Sequence, residues 1–318
     1  MDAILEALPV LLNLWKSVLP LMFLGCFLGN LFLNTALMRH LGKVMSPLAR
    51  LGNLPSGVDT PLTLCLVNNV AAYSMLAELK NNGLVNVREV VLSFLVSNIP
   101  KGLFYTVFYI APVVLGALGM RLGLIYLLIY FGVFAVVGFV GLLLGRLLLS
   151  PQVAQDSDGQ LPEPTREQWW DKMIGAAKSS LPTFGRLIAV FVPVTFLVIT
   201  LMQTETVKQC LALVDPALRQ FGLPAPVLIV ITTGMFSTIA AIGTLGPFLQ
   251  VGIVTPAQGI AALLFASALH YFISFWCDDI PLNVSFFGPH LGSKVSVANL
   301  IVLEGVTCLV LGVVVLFN

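Results

Sequence analysis

Charge is scarce in this sequence. Only 10% of its 318 residues are Asp, Glu, Lys or Arg, where a soluble domain carries about 25%. The scarcity excludes an ordinary water-soluble domain, and a net charge of +1 leaves nothing to attract a nucleic acid. Cysteine chemistry is also thin. The five cysteines (Cys26, Cys65, Cys210, Cys277 and Cys308) are scattered through apolar runs with no CxxC or Cys/His pairing, so they read as small hydrophobic residues. No HExxH, GxSxG or GxxxxGK[ST] motif is present, and GPHLG at 288–292 reads as a turn. No enzyme template fits, and neither a cofactor nor a metal site is expected. The N-terminal MDAILEALPVLLNLWK is acidic where a secretory signal is basic, so no cleaved signal peptide is expected.

What the chain does contain is apolar sequence, 58% of the total. Several runs reach the roughly 20 residues that span a hydrocarbon core of about 30 Å. The expected class is an all-α polytopic protein of the cell (inner) membrane.

Its organising stretch is Leu66–Leu76, LVNNVAAYSML. A shift of 169 positions brings it onto Met235–Leu245, MFSTIAAIGTL. Asn68 and Asn69 then face Ser237 and Thr238, and Ala71-Ala72 face Ala240-Ala241. The same shift matches Pro47, Arg50, Pro55, Gly83, Pro112, Gly119 and Gly123 with identical residues. Such a match implies an internal duplication. The first repeat is 1–149, the hydrophilic linker 150–185, and the second repeat 186–318.

Within the first repeat a crossing is expected at 17–33, with Trp15 and Lys16 as interface anchors. Residues 35–51 then alternate leucines and valines with Arg39, His40, Lys43 and Arg50, which suits an amphipathic helix on the membrane surface. Its counterpart is 204–221. The stretches 58–79 and 226–249 are either full crossings or re-entrant hairpins. Apolar runs at 87–111 and 122–149 follow, with counterparts at 256–277 and 295–317. If the two central stretches are hairpins, each repeat crosses three times and the repeats are inverted. Lys and Arg then gather on the side of the linker, which the positive-inside rule places in the cytoplasm, with both termini on the outer face.

Polar groups inside the apolar runs carry the chemistry, because a charge at mid-bilayer costs about 2.5–3.5 kcal/mol or more. Asn98 matches Ser267, and Lys101 matches His270. The second repeat adds Asp278, Asp279 and Asn283 in CDDIPLN. For each of these groups the plain alternative is interhelical hydrogen bonding or an interfacial position. Pro281 is expected to end the helix near Cys277, turning one Asp toward Lys101 or His270 and leaving the other outside.

The segments PLARLGNLP, NNVAA and FLVSNIP together resemble the nucleoside-recognition, or Gate, domain. That domain occurs in the spore maturation proteins A and B, ferrous iron transport protein B and concentrative nucleoside transporters. The resemblance covers most of 17–112 and, more weakly, 186–281, so the chain looks like two fused Gate units. It implies a role in solute handling and carries over to Asn68, Asn69 and Asn98. The second repeat departs, with Ser237, Thr238 and Ser267 at those places.

The resulting expectation is an ion-coupled secondary transporter or carrier for a small polar solute such as a nucleoside-like molecule, an amino acid or an ion. Asn68, Asn69, Asn98, Lys101, Ser237, Thr238, Ser267 and His270 would contact the solute, and Asp278, Asp279 and Asn283 the coupling H⁺ or Na⁺. The expected partners are the solute, the lipid bilayer, and a second copy or another membrane protein. The alternative is a non-transporting membrane scaffold of the spore-maturation type.

Overall fold

The computed structural model describes residues 45–66, 68–150, 169–202 and 224–316, with scattered positions between 8 and 27. Most of the crossing at 17–33, most of the amphipathic stretch 35–51, its counterpart 204–221 and linker residues 151–168 lie outside the described residues.

Every regular element among the described residues is helical. In chain order they are α1 (Asp59–Leu64), α2 (Asn69–Asn81), α3 (Val87–Val96), α4 (Asn98–Phe104), a π-helical turn (Tyr105–Ile110), α5 (Ala111–Leu118), α6 (Met120–Leu148) and α7 (Trp169–Met202). The series continues with α8 (Val227–Phe236), α9 (Thr238–Gln250), α10 (Pro256–Ser274), a second π-helical turn (Phe275–Asp279) and α11 (Ile280–Leu316). Among the described residues three continuous helical stretches are long and apolar enough to cross a membrane: Val87–Leu118, Met120–Leu148 and Pro256–Leu316. The last reverses at Gly288, where φ is 75° and ψ 168°.

Local chemistry sets the boundaries, and it does so at matching places in the two halves. Asn86 accepts the backbone N–H groups of Arg88 and Glu89, while its own N–H donates to the Glu89 carboxylate at 2.7 Å. Thr255 and Gln258 make the same reciprocal cap at the start of α10. Each pair satisfies amides that the first helical turn leaves open. Gly119 (φ 76°, ψ 171°) opens α6 as Gly288 opens the long arm of α11. Both lie in a backbone region that essentially only glycine occupies.

The helix breaks expected at Pro100 and near Cys277 do not occur: the chain runs helical through Pro100 and Pro281 alike. Pro281 and its counterpart Pro112 are each preceded by a π turn. A proline lacks the N–H for the i−4 bond, and its ring crowds that carbonyl. A wider turn just upstream opens that spacing and lets the helix continue. The two apolar runs therefore extend to Leu118 and to the Gly288 turn.

Two cores form, and each mixes the halves. In one, Val113, Val114 and Ala117 of α5 are buried against Val230 of α8, Ile242 and Leu245 of α9 and Leu263 of α10. In the other, Leu291 and Val295 of α11 are buried with Leu62 of α1, Tyr73 and Leu76 of α2 and Val90 of α3. A smaller cluster joins Val133, Phe134 and Val137 of α6 to Leu303 and Val306 of α11. Close approach relies on small residues. A Cβ at Gly141 of α6 would stand 2.8 Å from the Leu95 Cβ and 2.9 Å from the Val96 amide. Packing of this kind holds helices together where surrounding lipid supplies no hydrophobic drive.

Candidate functional site

The two short helix pairs α1–α2 and α8–α9 each break at a polar residue in extended conformation. Asn68 has φ −150° and ψ 101°, and Ser237 has φ −158° and ψ 112°. Each caps the helix that follows. The Asn68 side-chain oxygen accepts from the amides of Val70 (3.0 Å) and Ala71 (3.1 Å). Ser237 accepts from Ala240 at 3.3 Å. Short polar side chains suit this position because they satisfy free amides at a helix start. The arms of the second pair fold back on one another: a Cβ at Gly234 would stand 3.0 Å from that of Ala241.

Asn69 and Thr238, the first residues after the breaks, are half-buried. The Asn69 side-chain oxygen is shielded from solvent and has no hydrogen-bond partner. Among the described residues no hydrogen bond joins Asn68 or Asn69 to Ser237 or Thr238. The four residues expected to share one solute are therefore divided between two breaks, with part of their polarity committed to the backbone.

Breaking a helix frees carbonyls at its C-terminal end, which carries partial negative charge and favours a cation or a strong donor. His270 meets that need in the second half. Its Nδ1 lies 3.1 Å from the Met235 carbonyl, at the end of α8. A carbonyl only accepts, so Nδ1 carries the proton, and Nε2 faces the Ser274 hydroxyl at 3.4 Å. Lys101 stands at the matching position of the first half. Its charge couples to Tyr73 of α2, to Asp279, to Tyr105 and to Cys65 beside the break.

Asp279 is thus the acid brought to Lys101, and it comes from the other half of the chain. It is half-buried, whereas Asp278 beside it is exposed. Successive residues on a helix point about 100° apart, so the two carboxylates face different surroundings. The Asp279 backbone carbonyl accepts from the Ser296 hydroxyl at 3.2 Å. Ser296 in turn accepts from the Asn283 amide at 2.9 Å. Asn283 is buried and braces the return from the short arm of α11 to the long one, while its oxygen remains unpartnered.

A separate polar seam lies between α4 and α11. The Asn98 amide donates to the side-chain oxygen of Asn299 at 2.9 Å and to the Leu95 carbonyl at 3.0 Å. Both asparagines are buried, and the Asn98 oxygen has no partner. Ser267, the residue matching Asn98, donates instead to Leu263 of its own helix at 2.7 Å. Asn98 therefore bonds across the halves, whereas Ser267 bonds to its own helix and sits beside the Tyr126 hydroxyl of the first half.

Three contributors were not singled out from the sequence: Tyr73, Ser296 and Asn299. The last two lie in the apolar run after residue 289, where any polar side chain is itself a signal. Tyr73 has the look of an ordinary core aromatic, stacked on Phe94 at 4.5 Å between ring centres. Among the described residues no three His, Cys, Asp or Glu side chains gather as a metal site.

No family model matches the chain, and no solved structure matches it. It is similar to three uncharacterized proteins of Methanocaldococcus jannaschii. Uncharacterized protein MJ0871 is 29% identical over 274 residues, covering 86% of this chain and 84% of that protein. Uncharacterized protein MJ0880 is 23% identical over 89% of this chain and 91% of its own length. Uncharacterized protein MJ1556 is 22% identical over 85% of each. Each similarity is too long to lie within one half, so the halves recur together in these relatives.

Proposed function

We propose that this protein is a membrane carrier for a small polar solute, coupled to an ion and built from two inverted Gate-like repeats. The observation that carries the reading is the pair of matched breaks. Asn68 and Ser237 interrupt apolar helix pairs at matching positions, and His270 contacts the Met235 carbonyl at the second break. Lys101, at the equivalent position, couples electrostatically to Tyr73 and Cys65 on either side of the first. Broken helices that expose backbone groups and polar side chains at membrane depth are how many secondary transporters build their sites. Asn69, Lys101 and Asp279 supply a polar oxygen, a cation and an acid beside one break. In this reading the solute binds there, and Asp279 takes part in ion coupling.

The shared clusters support inversion. Leu142, late in α6, lies in a cluster with Leu291 and Val295, early in the long arm of α11. Leu311 and Val314, late in α11, pack on the cluster holding Tyr126 and Leu127, early in α6. Equivalent helices that meet head to tail run antiparallel, which is what inverted repeats require. With α1–α2 and α8–α9 as re-entrant hairpins, the linker lies in the cytoplasm and both termini outside. The likeness of PLARLGNLP, NNVAA and FLVSNIP to the Gate domain agrees with a role in solute handling.

A second reading rests on the Asn98–Asn299 bond. Buried amides paired with each other hold helices together, as a scaffold needs. Thermal unfolding of the purified protein with nucleosides, amino acids and Na⁺ separates the two. A carrier is stabilised by one solute class, and that gain disappears in Asp279→Asn. Absence of stabilisation by any of them, with no uptake into liposomes, would leave the scaffold.

A further inference from the structure

Glu304 is an acid that the proposed solute site does not use. It stands sixteen residues beyond the Gly288 turn and twelve before Leu316. At 1.5 Å per residue these are about 24 Å and about 18 Å along the helix, which puts the carboxyl near the middle of a core about 30 Å thick. Its neighbours in sequence are apolar: Leu303 is buried, while Ile301 and Gly305 are exposed on the outer face. The side chain lies on the border between those faces. Its Oε1 is shielded and has no hydrogen-bond partner.

The surroundings hold little that would keep a negative charge. Tyr271 of α10 is the titratable side chain whose charge couples to Glu304, and a phenol in its ordinary state is neutral. Among the described residues no titratable group of α2, α3, α6 or the second π turn, which also pack on α11, couples to it, nor does Lys101 of α4, which meets α11 at the Asn98–Asn299 bond. An ionised carboxylate at this depth without a counter-charge is costly, whereas the neutral acid needs none. A metal cation would need several more oxygens, since hard cations take about six or more oxygen ligands. A proton needs only the one carboxylate oxygen.

We propose that Glu304 is a reversible proton-binding site in the membrane interior. Its carboxylate takes up one H⁺ to become the neutral acid and releases it again as carboxylate plus H⁺. Charge therefore appears and disappears at mid-membrane without any other bond changing. The proposal deepens the carrier reading by making H⁺ the coupled ion, and it rests on that reading only for its purpose. Binding of the proton is testable by itself.

The test is labelling of the full-length protein in liposomes with dicyclohexylcarbodiimide, a hydrophobic reagent that adds to protonated carboxyls, followed by mass spectrometry across a pH series. The expected adduct sits on Glu304 and is absent in Glu304→Gln. As pH rises it outlasts any adduct on exposed Glu78, and it finally falls away. No adduct at Glu304 at any pH, or one that tracks Glu78, would overturn the proposal. So would protection by Na⁺ but not by K⁺, which would make the site a sodium site. If Glu304→Gln does not fold, the wild-type pH series alone still decides. Labelling as expected without solute binding would sink the carrier reading and leave the proton site standing.

Discussion

The two helix breaks share a backbone and differ in chemistry. Both carry a polar cap in extended conformation, and both are followed by a thirteen-residue helix. In the second half the freed carbonyl of Met235 is answered within the same half by His270. In the first half Lys101 remains without an ion pair within 4 Å among the described residues, and the acid whose charge it feels, Asp279, belongs to the other half. One break is closed on itself, and the other depends on how the halves sit together. In the proposed carrier the two matched halves thus divide the work: one braces its own break, and the other carries the charge that a solute or an ion would answer.

The sharpest way to break this comparison is to remove its acid. Asp279→Asn is expected to abolish solute-dependent stabilisation, while Asp278→Asn, on an exposed side chain, leaves it near wild type. Equal behaviour of the two variants in thermal-shift titrations would show that the neighbourhood of Lys101 and Asp279 has no part in binding.

The hinge glycines test whether the halves remain equivalent in their frame. Gly119→Ala and Gly288→Ala each force a side chain into a glycine-only conformation, at about 1–3 kcal/mol. Similar losses of thermal stability are expected, because neither added methyl meets a neighbour within 4 Å. A large difference would mean that the turns are not under matching strain.

The seam should behave unequally. Asn98→Ala strands the Asn299 oxygen and is expected to cost about 1 kcal/mol. Ser267→Ala removes a bond to its own helix and a hydroxyl beside Tyr126, leaves no amide stranded, and should cost less. A double-mutant cycle of Asn98→Ala with Asn299→Ala, read by unfolding in detergent, should show coupling between the two.

The caps differ from one another, and the weaker of them gives the smallest effect. Asn68→Ala removes two accepted amides at 3.0 and 3.1 Å, for a loss near the middle of the usual range of about 0.5–2 kcal/mol. Ser237→Ala removes one bond at 3.3 Å and should lie at the bottom of that range. The reverse order in thermal unfolding would indicate that Ser237 has a role beyond capping.

The apolar runs were legible because lipid imposes a length and forbids charge, and both constraints are written in composition. The shift that aligns Gly119 with Gly288 also marks the turns, since only glycine fits that backbone. The sequence by itself determined helical class, the span-forming stretches and the places where polar residues interrupt them, all of which depend on residues close in the chain. Tertiary structure decided the rest. Pro112 and Pro281 look like helix stops, yet a π turn before each lets the helix pass, and that choice depends on packing around the widened turn. Asn98 and Ser267 are equivalent in sequence, but Asn299 across the seam makes one a tie and leaves the other bonded to its own helix. Which of two adjacent acids faces Lys101 is likewise a matter of helix rotation against a partner distant in the chain. No local pattern encodes that partner, because the contact exists only when the two halves are packed together.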